Sequence, residues 1–321
     1  MSNKKTICVV GAGQWGMNHI RTLDELGVLG GVVDIDIAKL KSVKTTYSGI
    51  KTFTKVEDAI MAGFDGFTVV TSPAEHYTVG KLILESGHSV LIEKPMALEI
   101  EHAEELVALA ERQNLSLMVG HLLLFHPAIC KIKEIIKSGL IGQLQYIYSN
   151  RLNLGQVRTE ENVLWSLAPH DFSVFQYLVK ESPIEITTRG ASFITPGVHD
   201  STITILQYPN NVMGHIFVNW LHPFKEHRLV IVGSDGMITF VDSEVGKPLK
   251  LYDKSVHINK GYPEKKDGIV KEIEYEYTLP LTNELNYFVK CIDGIKPDIA
   301  NGQNGLDILK TLKLASIQIE N

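Results

Sequence analysis

Three short stretches hold residues whose types and spacing could do chemistry together. Gly11-Ala12-Gly13-Gln14-Trp15-Gly16 fits the pattern GxGxxG and follows the apolar run TICVV. The first glycine permits a tight turn, the second lets the backbone approach a pyrophosphate, and the third lets helix and strand pack closely. The phosphates would then lie at a helix N-terminus, where free amides and the helix dipole favour negative charge. Asp34 ends the next strand-like run, about twenty residues on, where an acid binds the ribose hydroxyls. A carboxylate there repels the 2′-phosphate of NADP, and Ile35 and Asp36 offer no arginine to attract one. The cofactor indicated is NAD. Lys94 stands directly after the apolar run SVLI, at a strand's C-terminal end, where the ligand crevice of such sheets lies. His170, in LAPHDF, brings a side chain that titrates near neutrality. A hydride acceptor with a base is what oxidation of a secondary alcohol needs, and a lysine can orient the oxygen or act as base where desolvation lowers its pKa.

Such residues need elements that hold them. The strand-like runs TICVVGAG, GGVVDID, FDGFTVVTSPAEH, SVLIEKPM and LSLMVGH alternate with helical stretches such as AEHYTVGKLILESG and EIEHAEELVALAERQN. That rhythm implies right-handed crossovers and a parallel sheet covered on both faces. From about residue 144 the pattern becomes QLQYIYSNRLNL, EITTRGASFI, DSTITILQY, NVMGHIFVNWL, HRLVIVGS and GMITFVD, with turn signals such as PNN and SDG. Hairpin-linked runs of this kind make a mainly antiparallel sheet. Two helical stretches, TNELNYFVKCIDG and GLDILKTLKLASIQIE, follow. The expected fold is α/β: a doubly wound Rossmann domain over residues 1–121, then an α+β domain with an open sheet over 122–321 that binds substrate and forms oligomer contacts.

The bulk properties limit the partners. A formal net charge of −6 and a pI near 6.1 disfavour a general binder of nucleic acid or membrane surfaces. The 3 cysteines, Cys8, Cys130 and Cys291, are far apart and form neither a disulfide framework nor a zinc spacing. The N-terminus MSNKKTICVVGAG enters a strand without a cleavable apolar segment. A cytoplasmic enzyme is expected. His121 and His126 are the nearest approach to a metal motif, and no HExxH or GxSxG is present. No metal is expected.

The stretches VVGAGQWG, TSPAEHY, LIEKPMA and VGHLLLFHPAICKIKE resemble, in order and spacing, the glucose-fructose oxidoreductase/inositol dehydrogenase (Gfo/Idh/MocA) family over nearly the whole chain. The resemblance implies a Rossmann domain followed by an open-faced mixed sheet whose exposed face forms dimer or tetramer contacts. It also implies that Lys94 of Glu93-Lys94-Pro95 lies beside the nicotinamide and the substrate, with a cis Lys94-Pro95 bond. Thr71, Ser72, Pro73, His76 and Glu93 would contribute to the cofactor site, and His170 to the proton chemistry. SNRLNLGQVR, NVLWSLAPHDF and NWLHPFKEHRLVIVGSDGM are similar to a branch of nucleotide-sugar 3-dehydrogenases, among which enzymes oxidising UDP-N-acetylglucosamine match best.

One position departs from that family. It commonly carries Asp-x-x-x-His, whereas this chain has Ser166-Leu167-Ala168-Pro169-His170. A hydroxyl accepts a hydrogen bond but does not stabilise an imidazolium as a carboxylate does. Asp171 could supply the charge, although neighbouring helical residues point about 100° apart. Alternatively, Lys94 could carry more of the proton chemistry, or the site could be slow. Arg151, Asn153, Arg158, Asn162 and Trp165 are candidates for the sugar and its diphosphate, since arginine forks bind phosphate oxygens bidentately. They also read as ordinary polar positions and a core aromatic. A dehydrogenase of free sugars or inositols, or a dinucleotide-bound regulator, stands as the alternative function.

Overall fold

The alternating N-terminal runs fold as a parallel sheet in the computed structural model, which describes residues 5–320. Its strands are β1 (Ile7–Val10), β2 (Leu29–Val33), β3 (Lys51–Phe53), β4 (Gly66–Val69), β5 (Ser89–Glu93) and β6 (Leu117–Gly120), in the order β3-β2-β1-β4-β5-β6. Every neighbouring pair is parallel. Ile7, Cys8, Val9, Phe67, Val69, Leu91 and Ile92 are fully buried, because a parallel sheet is covered on both faces by its crossover helices. Those helices are α1 (Gln14–Glu25), α2 (Ile37–Thr46), α3 (Val56–Met61), α4 (Pro73–Glu85) and α5 (Ile100–Gln113). Strand order reverses between β1 and β4, and the crevice beyond their C-terminal ends is where such sheets bind ligands. The glycine turn follows β1 there, Val70–Ser72 follow β4, and Lys94 follows β5.

The second sheet comprises β7 (Leu144–Leu154), β8 (Glu185–Ala191), β9 (Ser201–Gln207), β10 (Met213–Asn219), β11 (Leu221–Gly233), β12 (Met237–Val241), β13 (Leu249–Asn259) and β14 (Tyr262–Glu272). The order is β14-β13-β12-β11-β7-β10-β9-β8. Its pairs are antiparallel except β7 with β10. Two helices, α6 (Pro127–Lys137) and α7 (Val163–Val179), belong with it, and α7 packs on β7, β9 and β10. Ile147, Ile216, Val218 and Leu206 fill the buried face. The other face stays open: Ile203, Ile205 and Met213 are exposed, and the Tyr148 ring stacks on His215 with centroids 4.9 Å apart.

The chain divides into two compact units, Met1–Phe125 with Thr278–Leu309 and His126–Tyr277 with Lys310–Asn321. The sequence places a boundary near residue 121 but does not reveal the return of the C-terminal helical segment to the first unit. There α8 (Pro280–Ile292) packs on α1 and on the 3-10 turn Leu122–Phe125. The last helix, α9 (Gly302–Glu320), contributes to both units. Among the described residues no helix is long and apolar enough to cross a membrane.

Candidate active site

In the first unit the glycine turn has the shape a pyrophosphate needs. Gly11 has φ +105°, and a Cβ there would fall 2.5 Å from the Val70 carbonyl oxygen. A Cβ on Gly16 would fall 2.0 Å from the Gly11 oxygen, so only glycine lets α1 lie this close to β1. A Cβ on Gly13 would meet nothing within 4 Å, and Gly13 caps α1 without a side-chain bond. That combination leaves approach room above free helix amides, which suits a dinucleotide phosphate.

Asp34 is buried and fixed. Its Oδ2 accepts the Ala12 amide at 2.7 Å and its Oδ1 accepts the Asp36 amide at 2.8 Å. Each oxygen retains a lone pair for a ribose hydroxyl. Lys39, on α2, brings its Nζ to 3.5 Å from Asp34 Oδ2; the sequence reading missed this cation, three residues beyond the helix-capping Asp36. Ile35 is exposed beside the acid. The residues present fit NAD.

The EKP turn is built from both sides. Lys94-Pro95 is cis. His76 Nδ1 lies 2.8 Å from the Pro95 oxygen and its Nε2 3.1 Å from the Thr71 oxygen, so this imidazole braces the turns after β4 and β5. Burial lowers the His76 pKa against the opposing pull of those carbonyls and Glu93, and a neutral ring donates to only one carbonyl. Ser72 and Pro73 open α4, with Ser72 at the N-cap and no side-chain cap bond. Glu93 is buried below Lys94. Its Oε1 accepts Trp15 Nε1 at 2.7 Å and contacts His19 Nε2 at 3.0 Å, while Oε2 accepts the Lys94 amide at 3.2 Å. Burial pushes its pKa up, but the bonds from His19 and Trp15 and the nearby charge of Lys94 outweigh it, so it lies below the ordinary carboxylate value. The sequence reading did not use His19; its spacing of four from Trp15 puts both on one face of α1.

In the second unit α7 presents His170, half-buried, with Ser166 one turn earlier. Asp171 points elsewhere. Its carboxylate is buried on β7, accepting Ser149 Oγ at 2.5 Å, Arg151 Nε at 2.8 Å and Arg151 Nη2 at 3.0 Å. The partly buried Arg151 loses stability as a cation through burial and regains more from Asp171, so its pKa is raised. Across the β7–β11 register Arg151 faces His227, whose Nδ1 lies 3.9 Å from Asp242 Oδ2. Lys247 Nζ lies 2.5 Å from the other Asp242 oxygen, Oδ1.

The remaining candidates are distributed as follows. Asn162 caps α7, its Oδ1 accepting the Trp165 amide at 3.1 Å. The Trp165 indole donates to Ser316 Oγ at 3.0 Å, with Lys313 Nζ 5.6 Å from its ring centroid. Arg158 is exposed and pairs with Glu161 at 3.2 Å. Asn153 is partly buried near the end of β7, two residues beyond Arg151. The structure thus groups Arg151 with Asp171, and Asn162 with Trp165.

The family model for an oxidoreductase family with an NAD-binding Rossmann fold matches residues 5–121, and that for a GFO/IDH/MocA C-terminal domain matches residues 129–239. A protein named UDP-N-acetylglucosamine 3-dehydrogenase, from Acidithiobacillus ferrooxidans, is 23% identical over 97% of this chain and 96% of its own. A crystal structure under that name superposes with a TM-score of 0.86 at 22% identity, covering 98% of this chain and 97% of the other. Two relatives are named inositol 2-dehydrogenase. One from Corynebacterium glutamicum is 24% identical over 68% of each chain, and one from Rhizobium meliloti is 21% identical over 94% of this chain and 92% of its own.

Proposed function

The chain belongs to the Gfo/Idh/MocA oxidoreductase family, and from that premise we propose that it oxidises the C3 hydroxyl of a UDP-N-acetylhexosamine to the 3-keto sugar. The observation that carries this reading is the sequence similarity to a UDP-N-acetylglucosamine 3-dehydrogenase along 97% of the chain. When bound, NAD supplies the acceptor for the hydride that leaves the carbinol carbon. The chain's own residues supply the rest. The glycine turn and Asp34 hold phosphate and ribose. Lys94, braced through Glu93 and His76, is assigned the substrate hydroxyl oxygen, which it orients and polarises. His170 is assigned the proton that leaves that oxygen, a step worth about 10²–10⁴ in rate. Asn153 and Arg158 are assigned to the sugar and its diphosphate; Arg151 belongs to the frame around them, since Asp171 holds its fork.

The protein is read as cytoplasmic and as a homodimer or homotetramer. The open face bearing Ile203, Ile205 and Met213 supports self-association, because contiguous exposed apolar surface marks interfaces. The test of the function is NADH absorbance with UDP-N-acetylglucosamine, against free N-acetylglucosamine and myo-inositol in parallel. Reduction of NAD by the UDP-sugar alone is expected. Full activity on myo-inositol would instead support the reading that the two inositol 2-dehydrogenase relatives favour.

A further inference from the structure

Trp15 stands on the first turn of α1 with its two ends in different surroundings. The residue is 39% exposed, just after the glycine turn. Its Nε1–H nevertheless reaches inward and donates to Glu93 Oε1 at 2.7 Å. Tryptophan carries one donor on a large apolar body. Here a buried carboxylate takes the donor. The body stays beside the turn assigned to the pyrophosphate, where a Cβ on Gly13 would meet nothing within 4 Å.

The carboxylate is held on three sides. His19 follows Trp15 by four positions, its ring edge-on to the indole with centroids 6.2 Å apart, and its Nε2 lies 3.0 Å from the same Oε1. An ionised carboxylate only accepts, so this nitrogen carries the hydrogen. The other ring nitrogen, Nδ1, is buried with no hydrogen bond among the described residues. On the far side Oε2 accepts the Lys94 amide at 3.2 Å. A Cβ on Gly120 would fall 2.7 Å from the Glu93 carboxyl carbon and from both oxygens, so β6 keeps the group from swinging away.

A carboxylate that cannot turn passes a constraint at one oxygen to the other. The path runs from the indole N–H through Oε1 and Oε2 to the Lys94 N–H. It joins the first turn of α1 to the turn after β5.

We propose that Trp15 is a positioning residue that couples cofactor occupancy to the EKP turn: a dinucleotide bound on α1 covers the exposed indole, steadies its bond to Glu93 and so fixes the backbone of Lys94. The inference rests on the reading of Lys94 given above. All of its parts lie in the first unit, so the coupling can be read with NAD alone and no sugar.

The test is hydrogen–deuterium exchange at the Lys94 amide of the full-length protein, with and without saturating NAD. Pro95 has no N–H and adds no signal to that turn. In wild type NAD should slow exchange at Lys94 severalfold. Trp15→Phe keeps an aromatic body and deletes the donor. It should bind NAD within a few fold of wild type, while NAD no longer slows exchange at Lys94. Equal protection in wild type and Trp15→Phe, or none in wild type, overturns the proposal. Glu93→Gln puts an amide donor in place of one acceptor oxygen, so it cannot serve both N–H groups. It should lose the same protection, and it decides if the phenylalanine variant does not fold. In turnover, Trp15→Phe should lower kcat by about tenfold with little change in KM. Adding it to Glu93→Gln should cost little more, because the two act through one group; fully additive losses contradict the coupling. Lost protection with wild-type kcat would uphold the coupling and contradict instead the role assigned to Lys94.

Discussion

Arg151 and Asp171 form a two-point ion pair, with Nε 2.8 Å from Oδ2 and Nη2 3.0 Å from Oδ1. The pair pins α7 to β7 one residue after His170. It explains how a helix lacking an acid at position 166 still carries its histidine in a fixed place: the Asp171 carboxylate ties the helix to β7 through Ser149 and Arg151. Replacing Asp171 with alanine strands a largely buried guanidinium and should lower stability by about 3–5 kcal/mol, measured by urea denaturation. Arg151→Met combined with Asp171→Leu should recover part of that loss. Arg151→Met alone should reduce kcat more than it raises KM for the UDP-sugar, whereas a direct phosphate ligand would raise KM.

Ser166 and His170 stand one helical turn apart on α7. A carboxylate at 166 would favour the protonated imidazole. Ser166→Asp should move the acid limb of kcat/KM to higher pH by about one unit. A pH–rate profile checks this, and an unmoved limb would mean that His170 does not carry the proton.

Two histidines make the fold sensitive to acid. Burial lowers the pKa of His121 and of His126 from 6.5 to about 4. Both are depressed in the folded state, so their stability contribution is complete above pH 6.5 and is lost as pH falls through about 4. Each accounts for about 3 kcal/mol over that window. Denaturant titrations at pH 7 and pH 5 should show a loss that His121→Gln reduces. Glu284, fully buried on α8 with neither carboxyl oxygen hydrogen-bonded among the described residues, acts with the opposite sign: burial raises its pKa well above the ordinary carboxylate value, so stability declines as pH rises above that value, and Glu284→Gln should flatten the slope.

Asp34 accepts two backbone amides and is the residue proposed to hold the ribose hydroxyls. Asp34→Asn should shift the NAD-to-NADP preference towards NADP by about tenfold, with Lys39, 3.5 Å from the acid, available to the added phosphate. Titration with both dinucleotides measures it.

Much of this was legible in the residues. The strand-helix alternation gives the parallel sheet because its core strands must be buried on both faces, and GxGxxG with Asp34 locates the dinucleotide turn because that turn admits few other sequences. The hairpin β13–β14 was not legible. Its residues are largely exposed on both faces, with Val256, Ile258, Tyr262 and Ile269 among charged neighbours, so no alternation marks it. The one local sign is its turn, where Lys260 and Gly261 take φ +50° and +89°, as a tight hairpin turn requires. The Arg151–Asp171 pairing was hidden for another reason. Its partners lie 20 positions apart, and nothing in local periodicity pairs them.

The measurement closest to the central claim is a single turnover of UDP-N-acetylglucosamine carrying deuterium at C3, with NAD and the full-length protein. The account predicts that the deuterium appears on the nicotinamide ring and that the turnover is slower than with protium. NADH formed without deuterium, or a label that stays on the sugar, would contradict it.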